Sequence, residues 1–144
     1  MRKVTVLIGI LLAPAMATAQ EPGDQARAEV REVVHAFHAA LAAGDSTAAI
    51  RQLHPDVIIY ESGRAETLTD YRSGHLRSDM AYAQAVQRTR TAEDVQVWQE
   101  VALYTSQTRT TGQVRGRDID SRGVESMLLV RTPDGWRIRH VHWS

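Results

Sequence analysis

The chain has 144 residues, no cysteine, and 17 basic against 17 acidic residues, for a formal net charge of zero. That length suits one domain with a single core and is too short for two. The charge balance offers no electrostatic footprint for nucleic acid or an anionic membrane, and the lack of cysteine removes disulfides, thiol chemistry and thiolate metal ligands.

Arg2 and Lys3, the apolar run Val4 to Leu12 and the small residues Ala17-Thr18-Ala19 have the order of a secretory signal peptide, with a cut expected after Ala19. The apolar run is shorter than the roughly 20 residues a bilayer span needs. Removing residues 1–19 leaves 125 residues with 15 basic against 17 acidic groups, a net of −2. The expectation is a periplasmic or secreted protein with no stable membrane association after cleavage.

Residues 20–25, with Pro22 and Gly23, read as a flexible leader ahead of a domain spanning 26–144. From Ala26 to Ala43, Val30, Val33, Val34, Phe37 and Leu41 recur at helical spacing. His35 and His38 fall at the edge and outside of that stripe and are expected to be solvated. Gly44 ends the helix, Asp45 caps a second one through Leu53, and Pro55 stops it, with His54 as a helix-ending residue. Asp56 to Glu61 alternates as a strand, with Val57, Ile59 and Glu61 on one face, closed by Ser62-Gly63.

Thr67-Leu68-Thr69-Asp70 has capping-box spacing and opens a third helix toward Val86, on which Tyr71, His75, Asp79, Tyr82 and Val86 share a face. After a polar segment come four strands, roughly Ala92 to Trp98, Val101 to Thr111, Val124 to Thr132 and Trp136 to Trp143. Thr111 to Gly123 is expected as a solvated, Arg-rich hairpin tip, and Pro133-Asp134-Gly135 as a tight turn. In the last strand strict alternation puts Trp136, Ile138, His140 and His142 on one face and Arg137, Arg139, Val141 and Trp143 on the other. This order predicts an α+β fold with about three N-terminal helices on a strongly curved, mostly antiparallel sheet.

Three pieces carry a family resemblance: the opening helix with Ala42-Ala43-Gly44-Asp45 leading into His54-Pro55-Asp56-Val57, the segment from Tyr60-Glu61-Ser62-Gly63 through Tyr71 to Asp79, and the ending Asp134-Gly135-Trp136 to Ser144. Through them the chain resembles the nuclear transport factor 2-like superfamily, which includes SnoaL-like polyketide cyclases and ketosteroid isomerases. The resemblance implies a cone enclosing a cavity and frequent homodimers through the outer sheet face. It supplies no reaction by itself. Ketosteroid isomerases place an oxyanion-donating tyrosine on the first helix, where this chain has Phe37 between His35 and His38. SnoaL-type cyclases use an acidic base, for which Glu61 and Glu125 are the candidates here.

In such a cone the third helix and the first and last strands surround one pocket. Glu61, His75, Asp79, His140 and His142 are its polar inward candidates, a nitrogen and oxygen set suited to a divalent metal such as Zn²⁺ or Cu²⁺. If the pocket is catalytic, His75 or His140 is the candidate general base with Asp79 and Glu61 as orienting carboxylates, and Tyr71, Tyr82, Glu61 and Trp136 would contact a small-molecule ligand, the tyrosines donating to its oxygen. The residues leave three readings open: a metal site, a metal-free polar pocket, and a packing role in a non-catalytic association module.

Overall fold

The amphipathic stripe of the first helix is buried as its spacing requires: Val30, Val34 and Phe37 are fully covered and Leu41 nearly so. This helix, α1 (Pro22–Ala43), belongs to a computed structural model that describes residues 22–144. The expected signal peptide and its cleavage point lie outside the described residues. The expected leader is corrected from Pro22 onward, because the helix already includes residues 22–25. Proline is favoured at a first helical position, and Asp24 in the first turn pairs with Arg27 at 2.8 Å. Among the described residues no helix is long and apolar enough to cross a membrane.

The side chain of Asp45 accepts the Ala48 N–H to open α2 (Ser46–Gln52). Leu53 turns extended, so the helix stops at Gln52, one residue before the expected end, and His54 lies in a strand rather than ending a helix. That strand, β1 (Leu53–Glu61), buries Val57 and Ile59, with Glu61 half-buried on the same face. Ser62 and Gly63, both at positive φ, form a two-residue hairpin into β2 (Arg64–Thr67), a strand absent from the sequence expectation.

The capping box forms as expected between Thr67 and Asp70 and starts α3 (Leu68–Asp70). The helix continues through a π-helical turn, Tyr71–His75, into α4 (Leu76–Ala85). Strands β3 (Val86–Trp98), β4 (Val101–Val114), β5 (Arg117–Thr132) and β6 (Gly135–Trp143) follow. The polar segment after α4 is thus already strand, and the Arg-rich stretch continues β4 and β5 out to a turn at Arg115-Gly116. At Gly112 (φ +151°) a Cβ would meet the Ala85 carbonyl oxygen at 2.7 Å, so glycine lets β4 pass the α4–β3 junction.

The sheet order is β2-β1-β6-β5-β4-β3, antiparallel except for the β1–β6 pair. Three helical segments of the chain pack on this six-stranded mixed sheet as an α+β fold. The core lies between α1 and the inner sheet face, where Tyr104, Met127, Leu129, Ile138 and Val141 are fully buried. Each such aliphatic burial stabilises by about 1.5–3 kcal/mol before entropy is counted.

Two bulges decide which side chains face inward. Leu129 pairs with Ile138 but Leu128 pairs with His140, so Arg139 is an extra residue in β6. The alternation inverts there, with Trp136 and Ile138 inward before it and Val141 and Trp143 inward after it. His140 and His142 therefore point to the outer face, where the His140 ring lies 5.2 Å from that of Tyr60. A matching bulge at Thr91 in β3 turns Arg88 and Arg90 to the cavity side.

Candidate functional site

The open end of the cone holds a cavity of about 1430 Å³ between α1, α4 and the inner face of β3 to β6. Its wall mixes apolar side chains, among them Leu41, Ala83, Val86 and Trp143, with the carboxylates of Glu61, Asp79 and Glu125. Tyr82 also lines it. Trp136 does not; it is buried in the core under Arg131, whose guanidinium stacks 4.6 Å from its ring centroid.

One polar group is built by β1, β2, the π turn and α4. His75 Nε2 lies 3.2 Å from Glu61 Oε2 and 3.4 Å from Asp79 Oδ1, and its other nitrogen, Nδ1, is 2.6 Å from Glu66 Oε2. The Tyr71 hydroxyl donates to Asp79 Oδ2 at 2.7 Å. One ligand atom each from Glu61, His75 and Asp79 can be chosen so that all lie within 4.8 Å of one another. The buried Glu61 Oε2 has no hydrogen-bond partner. π turns interrupting α-helices recur at functional sites, and this one ends on His75.

The electrostatics follow from crowding three carboxylates around one imidazole. Burial first, and then the Asp79 charge, raises Glu61 above the ordinary carboxylate range; burial likewise raises Asp79 although Tyr71 and His75 pull it down. Burial opposes a charged His75, but the Glu66 hydrogen bond and the charges of Asp79, Glu66 and Glu61 outweigh it and raise the imidazole. Tyr71 is pushed up by burial and by Asp79, so its hydroxyl remains a donor.

A second group sits across the cavity, where solvated histidines were expected. His38 has only 13% of its side chain exposed, and its Nε2 lies 2.8 Å from Glu125 Oε2. That carboxylate, 5% exposed, also accepts the Trp143 indole N–H and the Ser106 hydroxyl. Burial alone would raise Glu125, yet His38, Trp143 and the Arg88 charge hold it below the ordinary range. Arg88 Nη1 is 3.2 Å from His38 Nδ1. His35, at the helix edge as expected, is 44% exposed and meets Glu93 at 2.9 Å.

The structure thus brings together Glu61, His75, Asp79 and Tyr71 of the expected residues, with Tyr82 on the same cavity. His142 borders the cavity but, like His140 and Trp136, is not part of the group. Glu66 was missed, although the Ser62-Gly63 pair followed by Arg64-Ala65-Glu66-Thr67 carries a hairpin signal. His38 was missed because it flanks the apolar stripe by only one position.

Comparison with known proteins places this geometry in context. Residues 30–144 match a family described as SnoaL-like domain. A candidate ketosteroid isomerase from Shewanella frigidimarina NCIMB 400 is 36% identical, with a TM-score of 0.79 over 83% of this chain and 97% of that one. A candidate dehydratase of the NTF2-like family from Streptomyces avermitilis is 21% identical, with a TM-score of 0.69 over 85% and 97% of the two chains. The CaMKII hub of S. rosetta is 20% identical, with a TM-score of 0.73 over 88% and 98%. No curated protein matches the chain.

Proposed function

The chain belongs to the SnoaL-like domain family, and on that premise we propose that it is an exported small-ligand pocket protein whose cavity binds a divalent metal ion through Glu61, His75 and Asp79. The observation that carries the metal reading is a pair of distances. Two ligand atoms on a tetrahedral ion with bonds of about 2.0–2.1 Å stand about 3.3 Å apart. His75 Nε2 stands 3.2 Å from Glu61 Oε2 and 3.4 Å from Asp79 Oδ1. Charge-assisted hydrogen bonds are shorter, about 2.7–2.9 Å, so an imidazolium bridging the two carboxylates accounts for these spacings less well.

The surrounding bonds support the same reading. Metal-bound histidines commonly donate their second N–H to a carboxylate, as His75 Nδ1 can to Glu66, and ligating carboxylates are themselves hydrogen-bonded, as Asp79 is by Tyr71. The nitrogen and oxygen set suits Zn²⁺ or Cu²⁺. Glu61, His75 and Asp79 would hold the ion, and the chemistry it would supply there is Lewis-acid polarisation of a ligand oxygen. Export rests on the residue pattern of 1–19. The isomerase chemistry suggested for the Shewanella relative is not carried over, since α1 presents Phe37 and no tyrosine.

Calorimetric titration of the protein with Zn²⁺ tests the proposal. One equivalent should bind, and His75→Ala should abolish it while leaving the folded signal intact; no binding at micromolar metal by a folded protein would end the metal reading.

A second copy of the chain is a further proposed partner. Tyr60, Trp98, Val101 and Val124, the exposed large apolar side chains among the described residues, alternate onto the outer sheet face, and some structural neighbours are CaMKII hubs. Light scattering should give twice the chain mass, and Trp98→Glu should halve it; a monomer at working concentration contradicts this pairing.

A further inference from the structure

The group around His38 has a geometry that the metal reading does not use. Guanidinium nitrogens only donate, so the Arg88 contact requires His38 Nδ1 to accept, which leaves the imidazole proton on Nε2, donated to Glu125. His38 is therefore held in one tautomer, with Glu125 behind it in the orienting position that a carboxylate takes in an acid-base pair. Its Nδ1 is met by Arg88 alone among the described hydrogen-bond partners.

Arg88 is the solvent-exposed part of this arrangement. It is an exposed side chain at the cavity wall, on the same face of β3 as Arg90, whose buried Nε makes no hydrogen bond and stands 3.6 Å from Glu93 Oε2 in an ion pair. Its positive charge lowers Glu61, Asp79 and Glu125 alike, which places the guanidinium within electrostatic reach of both polar groups. Thr108 and Thr110 add hydroxyls to the wall beside the two arginines through the β3–β4 register, Arg90 with Thr108 and Arg88 with Thr110.

We infer that Arg88 and Arg90 form a subsite for the carboxylate of a small, largely apolar monoacid, and that filling it draws Arg88 off His38 and frees Nδ1 as a proton acceptor. The ligand class follows from the wall. Arg88 and Arg90 call for an anion; the cavity also carries the exposed Arg77, Arg115 and Arg122, while Glu61, Asp79 and Glu125 repel a second negative charge placed among them. Leu41, Ala83, Val86 and Trp143 leave apolar surface for the remainder of the molecule. In the step this allows, a proton leaves an acidic C–H or O–H of the bound acid and forms a bond to Nδ1. The electron pair stays on the ligand, and the imidazolium charge is balanced by Glu125, which does not itself take the proton. His38 becomes a base only when the anion is present.

This inference rests on the cavity binding a small ligand and is independent of the metal. The test uses benzoate as the probe, with ¹⁵N-histidine-labelled protein followed by nuclear magnetic resonance. Benzoate should bind saturably, and the His38 Nδ1 signal should move as the Arg88 bond is lost. Arg88→Ala, a change at an exposed position, should bind benzoate at least about tenfold more weakly. It should also show a displaced Nδ1 signal before any ligand is added. No saturable binding by about 10 mM, binding unaffected by the substitution, or an Nδ1 signal unmoved at saturation would each overturn the inference. Zn²⁺ titration of the same samples separates the two readings: zinc bound without benzoate leaves the metal site standing and removes only this one.

Discussion

His75 is tethered by Glu66 at one ring nitrogen, 2.6 Å away, so that its other nitrogen faces Glu61 and Asp79. A four-residue strand, β2, therefore orients a side chain that the π turn supplies. Carboxylates in this position typically contribute 10–100-fold to metal affinity. Glu66→Gln should accordingly weaken Zn²⁺ binding by about 10–100-fold with little change in melting temperature, as read by competitive titration against a chelator. Unchanged affinity would mean that the tether plays no part in binding.

The outward turn of His140 and His142 has an equally direct consequence. The double substitution His140→Ala/His142→Ala should leave stoichiometry unaltered and affinity within about twofold, because neither side chain shares the face of Glu61 and Asp79. A loss comparable to that of His75→Ala would show that β6 keeps strict alternation in solution.

Without metal, the contribution of the Glu61–His75–Asp79 group to stability should fall as pH rises. Glu61, Asp79 and His75 all have raised values in the folded protein, so it binds more protons than the unfolded chain does. The stabilisation from His75 is fully present below its unfolded value of about 6.5 and is lost as pH rises through the higher folded value. Glu61 and Asp79 act in the same direction from about pH 4 upward. The group titrates as a coupled set. Added Zn²⁺ should reverse the trend, because metal competes with these protons. The increment it adds to the melting temperature should grow from pH 5.5 to pH 8. A zinc increment that shrinks over that range contradicts the proposed ligand set.

Glu125 is predicted to hold the inner end of β5 to β6. Glu125→Ala leaves the half-buried Trp143 indole N–H, the buried Ser106 hydroxyl and His38 Nε2 without their acceptor and should cost about 2–4 kcal/mol in urea unfolding. Because the Glu125 carboxyl is held low, its contribution is present above its unfolded value of about 4.3 and is lost as pH falls through the folded one. A cost below about 1 kcal/mol would mean that these donors find water instead.

Much of this was legible before any coordinates. Helical spacing in α1 named the buried stripe, the Thr67 to Asp70 spacing named the capping box, and three- and four-residue spacing put Tyr71, His75 and Asp79 together. What escaped was local and non-periodic. Four residues of β2 are too few for alternation to stand out, so Glu66 stayed hidden. The bulge at Arg139 adds one residue without a glycine or proline to announce it, which reversed the faces of both histidines and brought Trp143 onto Phe37. His38 lies beside a fully buried phenylalanine, and only the approach of Glu125 from β5, 87 positions away in the chain, turns that edge position into a polar pair.

The most direct measurement is a crystal of the protein grown or soaked with Zn²⁺, with data collected on both sides of the zinc absorption edge. The account predicts one anomalous peak bonded to His75 Nε2, Glu61 and Asp79 at about 2.0–2.2 Å, with Glu66 on Nδ1. A peak at His140 and His142 instead, or an empty Glu61–His75–Asp79 group in a zinc-saturated crystal, would contradict it.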